Sequence, residues 1–459
     1  MSGLFLSILI VVLAAAAFWL GRNKALGAVG GNLRDLHSLP GYYGYFSAIW
    51  CGLPALLIVV AWSALDGTII ETMVLAGLPT AADGLSDGEL SLFITNVQNL
   101  VTGNIVANPS AEVVAAANHY RHLQSLSDWG MTVIALGLAI AGLAYARRAI
   151  VPNLRSRESV EKVVLMVMIG ASAVAILTTI GIVMSLLFES HRFFQQVPVG
   201  DFLFGLQWSP QTAIRADQVG SSGAFGAVPV FAGTILITVI AMLVAVPIGL
   251  LSAIYLSEYA GPKVRAFAKP GLEILAGIPT VVYGFFAALT IAPLVRGWGE
   301  GLGLDVSSES ALAAGLVMGL MIIPFVSSLS DDVISAVPGA LRDGSYALGS
   351  TKSETITRVV LPAALPGIFG AVLLAVSRAI GETMIVVMAA GLAANLTANP
   401  FQAVTTVTVQ IATILVGDQE FDSPKTLSAF ALGLLLFIVT LMLNVVALMV
   451  VRKYREKYD

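Results

Sequence analysis

Arg378 and Glu382 stand four residues apart in "AVLLAVSRAIGETMIVVMAAG", an otherwise apolar run. A lone charge at mid-membrane costs at least roughly 2.5–3.5 kcal/mol on insertion scales, so both groups should face protein or water and not lipid. On a helix, a spacing of four puts two side chains on one face within reach of each other. Two roles follow. The pair can neutralise itself and hold two helices together. Alternatively, Arg378 offers planar, bidentate donors to an oxyanion while Glu382 orients it and keeps binding weak enough for release. A second element is "AGIPTVVYG", in which Gly277 and Pro279 interrupt the helix just before Thr280. Such a break can free backbone N–H groups toward an anion, or it can be a packing kink. Tyr283, in the same motif, is a candidate gate.

Other chemistries lack their residues. No G-x-x-x-x-G-K-[ST] phosphate loop and no H-E-x-x-H occurs, so ATP hydrolysis by that route is not expected of this chain. "GWGEGLG" from Gly297 to Gly303 follows no strand and reads as a turn between spans. His119 and His122 in "NHYRHL" have helical i, i+3 spacing, but no third ligand lies nearby and no metal site is expected. The single cysteine, Cys51, excludes an intramolecular disulfide. No residue is placed to do covalent chemistry, which points to a transporter component and not an enzyme.

The elements that must position these residues are membrane helices. With 57% hydrophobic and 11% charged side chains, the chain is too apolar for a soluble globule, whose charged share is about 25%. A spanning helix needs about 20 mostly apolar residues. That ruler predicts nine spans, at 3–20, 45–65, 129–146, 163–188, 231–256, 271–294, 311–329, 367–393 and 427–450. With the N-terminus outside, 18 of the 24 Lys and Arg residues fall on inside segments and five outside, Arg378 being the remaining one. That split satisfies the positive-inside rule. Two regions are expected: a three-helix membrane extension over 1–155 with an acidic, solvated external loop at 67–128, and a six-helix unit over 156–459. Phe202, Phe204 and Trp208, between the first two spans of the second unit, suit an interfacial segment.

The inner loop over 330–366 is longer than a turn between spans requires. Pro338 can occupy a first helical turn, where its missing N–H costs nothing. Residues 339–348 then read as a short helix, followed by Gly349 where left-handed backbone is usual. Thr351 and Glu354 form a capping-box pattern that starts a second helix, expected to end at Pro362. Two short helices around a glycine corner make a knob that can pack on its own protein or insert into a partner.

The pattern of Asp343, Gly344 and Ser345, then Gly349, Ile356, Leu361 and Pro362, resembles the coupling loop of ABC-importer permeases. That family usually has Glu followed by two alanines where this chain has Asp-Gly-Ser. The runs "FAGTILITVIAMLVAVPIGLLSAIYLSEYAGPKVR", "KPGLEILAGIPTVVYGFFA" and "SRAIGETMIVVMAAG" resemble the PstC-type permease of phosphate importers over roughly Val160 to Tyr458. The resemblance implies an all-α polytopic fold, a six-helix type I permease core preceded by three extra helices. It implies ATPase docking at the knob residues and a substrate path through Arg378, Glu382, Gly277, Pro279 and Thr280. It also implies partners: a second similar permease, two cytoplasmic ATPase subunits that hold ATP and Mg, and a periplasmic phosphate-binding protein. The location implied is the bacterial inner membrane with a cytoplasmic C-terminus. A secondary anion transporter acting alone and a phosphate-sensing scaffold are the other function classes weighed.

Overall fold

The computed structural model describes residues 3–30, 33–76, 87–103, 110–211, 223–416 and 422–454. Backbone groups in hydrocarbon must be satisfied within their own segment, and the described chain is accordingly almost all helix. It falls into two compact units, Met1–Ile176 and Leu177–Asp459.

The first unit holds α1 (Gly3–Ala28), α2 (Pro40–Ala76), α3 (Asp87–Thr102), α4 (Ala111–Ala149) and the start of α5 (Ser156–Phe194). At 37 and 39 residues, α2 and α4 run to about 55–58 Å at 1.5 Å per residue, well past a hydrocarbon core of about 30 Å. The stretch 67–128 is therefore mostly helix and not the loop expected from sequence. Its helices carry an apolar stripe: Ile70, Val74, Val97, Val113, Ala116 and Ala117 form a core of their own. Gln98 Nε2 donates to Glu71 at 2.7 Å, and Arg121 donates to the Leu100 carbonyl at 2.7 Å. A search for lipid-length apolar runs overlooks such amphipathic turns. Of the acids expected there, Asp83 and the side chains of Asp87 and Glu89 lie outside the described residues.

Close approach sets the packing of this unit. A Cβ on Gly142 would lie 1.9 Å from the Trp50 carbonyl oxygen, so only glycine lets α4 meet α2 there. The Tyr43 hydroxyl donates to the carbonyls of Pro152 and Leu154, at 2.9 and 3.2 Å, and ties α2 to the turn before α5.

The second unit continues with α6 (Val199–Phe204), a two-residue hairpin pairing β1 (Trp208–Ser209) with β2 (Ala224–Phe225), α7 (Val228–Tyr259) and α8 (Pro262–Gly277). Then come α9 (Thr280–Gly301), α10 (Ala311–Ser335), α11 (Gly339–Ala347), α12 (Lys352–Ile380), α13 (Met384–Ala389), α14 (Val407–Val416) and α15 (Pro424–Tyr454). Helix α10 is buried along its length, from Ala311 to Ile334, and forms the centre of the unit. Among the described residues, nine helices are long and apolar enough to cross a membrane.

Two of the nine differ from expectation. The span placed at 271–294 is broken at Ile278 and Pro279, leaving α8 as a separate helix and α9 as the span. Proline has no N–H to continue the ladder, and the residue before it is pushed to extended backbone; Ile278 has φ −68° and ψ 129°. The span placed at 367–393 instead runs from Lys352 to Ile380. Pro362 does not end a helix. It follows a π-helical turn at Ile356–Val360, sits in the first turn of the α-helical stretch from Leu361, and the helix continues through it.

After α12 the chain is irregular for most of residues 390–406, yet its carbonyls have work. Those of Gln402 and Pro400, with the Ala389 carbonyl at the end of α13, accept from the N–H groups of Ala311, Leu312 and Ser310 at 2.8–3.1 Å, serving the donors that open α10. Phe202 and Trp208 are buried with Phe193 and Phe225 in an edge-to-face aromatic cluster, while Phe204 is exposed. The Trp208 indole donates to Gln410 at 2.9 Å, which explains why this ring can be buried.

Gly142→Ala should destabilise the purified protein by about 1–3 kcal/mol, the cost typical of an overpacked contact, seen as a lower melting temperature. Gly137→Ala, on the same helix but facing open space, should not lower it.

Candidate functional site

The knob forms as its capping residues dictate. Pro338 caps α11, Leu348 closes it, and Gly349 follows at φ +84°. A Cβ at Gly349 would touch nothing, so the left-handed backbone is what calls for glycine. Thr351 then opens α12 with a complete capping box: Glu354 N–H donates to Thr351 Oγ1 at 3.4 Å, and Thr351 N–H donates to Glu354 Oε2 at 2.9 Å.

Buried contacts lock the corner. Ser345 Oγ and Thr355 Oγ1 are hydrogen-bonded at 2.9 Å. Val360 packs with Ile334, Val337 and Ala253, and Ile356 is buried one turn before it, so Ser345 and Ile356 lie on the inner side of the knob. Arg342 fastens it to the ends of α7 and α10, donating to Glu258 at 2.9 Å and to the Val337 and Ile334 carbonyls at 2.6 and 2.8 Å. Lys352 lies 5.0 Å over the Tyr259 ring. The outward side presents Asp343, Gly344, Tyr346 and, 89% exposed, Leu348. Leu361 is half-buried and Pro362 exposed on α12. Sequence reasoning missed Leu348, although an apolar residue directly before a glycine corner was a usable signal.

Arg378 and Glu382 do not share a helix face. Helix α12 ends at Ile380, with Gly381 as its cap, because Glu382 serves the next helix: its Oε1 accepts from the Met384 and Ile385 N–H groups at 3.0 and 3.4 Å. The Glu382 carbonyl accepts from Thr408 at 2.7 Å. Among the described residues no carboxylate lies within ion-pair reach of Arg378, and its guanidinium sits 5.6 Å over the Phe325 ring.

Arg378 lines a cavity of about 280 Å³ between α8, α10 and α12, with Lys269, Glu273, Ser327, Ser328 and Asp331 as its other polar walls. Asp331 is buried. Both its oxygens accept from Arg265 at 3.0 Å, and Oδ2 also accepts from Lys269 at 2.9 Å. That hydrogen bond holds the Lys269 ammonium above its ordinary range, against the opposing pull of burial. The cavity thus joins one unpaired guanidinium to a doubly satisfied carboxylate. Neither Gly277, Pro279 nor Thr280 lines it; they form the break that directly follows Ala276, which does. Tyr283 is buried and its hydroxyl donates to the Leu275 carbonyl at 2.9 Å, closing the broken ladder. The triad Arg265, Lys269 and Asp331 was not foreseen, because Asp331 lies over 60 residues from its two cations in sequence.

The family described as "Phosphate ATP-binding cassette transporter" matches residues 7–106, and that described as "Binding-protein-dependent transport system inner membrane component" matches residues 245–456. The phosphate transport system permease protein PstC of Mesorhizobium japonicum is 33% identical over 264 residues, covering 54% of this chain and 76% of its own. The probable ABC transporter permease protein YqgH of Bacillus subtilis is 30% identical over 240 residues, 52% of this chain and 74% of its own. The chain belongs to the PstC family of ABC-transporter permeases. It is a multi-pass membrane permease subunit, and the matched stretch 245–456 contains both the knob and the Arg378 cavity. A solved bacterial alginate ABC transporter aligns over 66% of this chain and 98% of that one, at 14% identity and TM-score 0.46.

Arg342→Met should cost on the order of 3 kcal/mol by leaving Glu258 largely buried and unpaired. Hydrogen exchange over 339–360 should rise more than exchange in α10.

Proposed function

We propose that this chain is the permease subunit through which an ATP-driven importer moves inorganic phosphate into the cytoplasm. The observation that carries the coupling half of the reading is the knob: a rigidly anchored corner whose Leu348 projects almost fully exposed. An apolar side chain held out on locked backbone fits a groove on another protein, where buried anchors dominate binding energy. The ATPase subunits supply that groove, hold ATP and Mg, and drive the permease when they close. Asp343, Gly344 and Gly349 border the anchor, while Ser345, Ile356, Leu361 and Pro362 keep it in place.

The substrate half rests on the relatives named as phosphate permeases and on Arg378, a guanidinium free of carboxylates at the wall of a polar cavity. Its planar donors suit two oxygens of one anion. Glu382, Gly277, Pro279 and Thr280 shape the neighbouring helix breaks, α12 to α13 and α8 to α9, that bound the path. A second, similar permease completes the channel, and a periplasmic binding protein delivers phosphate to the outer face. The knob then lies in the cytoplasm, the N-terminus outside, in the inner membrane. Residues 1–155 form an accessory membrane extension to the core over 156–459.

Reconstitution with ATPase, second permease and binding protein tests this. Wild type should take up labelled phosphate only with ATP. Leu348→Ala should weaken co-purification of the ATPase at least tenfold, with a melting temperature unchanged, and Arg378→Ala should cut uptake at least tenfold while the complex still assembles. Uptake by this chain alone, or full coupling in Leu348→Ala, would contradict the proposal.

A further inference from the structure

The cavity beside Arg378 has on its wall one carboxylate, Glu273, without an ion-pair partner among the described residues. Lys269 and Glu273 lie one turn apart on α8 and both line it. Asp331 is already satisfied on both oxygens by Arg265 and Lys269. Glu273 is exposed, and among the described residues no cation comes within ion-pair reach of it. The donor-bearing residues that line the same space are Arg378, whose guanidinium is unpaired among the described residues, Ser327, Ser328, and Lys269, whose ammonium already serves Asp331. At about 280 Å³, against roughly 30 Å³ for a water in the liquid, the cavity accommodates one tetrahedral oxyanion with some of its hydration.

An ionised carboxylate only accepts hydrogen bonds. An oxyanion that keeps a proton at neutral pH, as phosphate and arsenate do, can donate that proton to Glu273 while its other oxygens take the Arg378 and serine donors. Sulfate is fully ionised at the same pH. It would set a bare oxygen against the carboxylate, with no hydrogen between the two and their charges opposed.

We propose that Glu273 is the residue by which this cavity selects a protonated tetrahedral oxyanion over a fully ionised one. The assignment rests on the reading of the cavity as part of the substrate path. Arg378 supplies affinity for either anion; Glu273 supplies the difference between them. Its position on α8 also explains the mixed lining: a wall of cations alone would hold any oxyanion, and hold it too firmly to pass on. The preference is expected to be roughly tenfold to a hundredfold, the range of one charge-assisted hydrogen bond.

The test is thermal unfolding of the purified full-length chain titrated with phosphate, arsenate or sulfate, since a ligand that binds only the native state raises its melting temperature. Wild type should respond to phosphate and arsenate at concentrations tenfold to a hundredfold below sulfate. Glu273→Gln, which can donate as well as accept, should close that gap to within about threefold, mainly through tighter sulfate binding. Glu273→Asp should keep most of the preference, and Arg378→Ala should weaken the response to all three anions. A Glu273→Gln protein that discriminates as wild type does, or a wild type that responds to none of the anions, overturns the proposal. ATP-driven phosphate uptake by the reconstituted wild-type complex separates the two levels. If uptake occurs and Glu273→Gln leaves anion preference intact, only the role of Glu273 falls; if the wild-type complex moves no phosphate, the transport reading falls with it.

Discussion

The buried carboxylate of Asp331, gripped by Arg265 and Lys269, is the interaction on which the second unit turns. A lone carboxylate inside a membrane helix bundle would be driven to neutrality or to the surface, so α10 can keep Asp331 buried only if another helix brings cations to it. Helix α8 does this with two residues one turn apart. That requirement fixes α8 against α10, and the fixed α8 then holds Glu273 on the wall of the same cavity that Arg378 lines.

The same helix serves the knob. Three residues beyond Asp331, the Ile334 carbonyl accepts from Arg342, and the Ile334 side chain lies in one core with Val337 and Val360. The cavity and the knob are therefore attached to one rigid, buried element within about a turn of each other. Any displacement of the corner at Gly349 either breaks the Arg342 contacts or moves the end of α10, and with it the cavity wall. A coupling of this kind needs only one helix with two packed arrangements, without a long relay of side chains. The π-helical turns at Tyr255–Tyr259 and Ile356–Val360, on the two helices that flank Arg342, are places where such a change of packing can be taken up.

Some features were readable from local sequence because local chemistry decides them. The short helix of the knob, its left-handed glycine and the Thr351–Glu354 box depend on residues three to five apart, and they form as the spacing requires. The number of membrane helices follows from hydropathy for a similar reason: hydrocarbon penalises any backbone that leaves its own hydrogen bonds unmade. The two misplaced spans, at 271–294 and 367–393, fail where apolar composition continues through a change in backbone. Pro279 breaks the ladder without adding polarity, and Glu382 turns to cap α13, so an apolar run conceals two separate helices in each case.

By itself the sequence determined a helical membrane chain with nine spans among the described residues, a capped corner between two of its helices, and an arginine that lipid would not tolerate. The tertiary structure alone decided which charges meet. Arg378 loses its near neighbour Glu382 to a helix cap and gains a cavity, while Asp331 finds its partners on another helix. The reason is physical: capping and hydrophobic runs act over a few residues, whereas the pairing of buried charges is set by which helices pack together, and that depends on close contacts distributed along the whole chain.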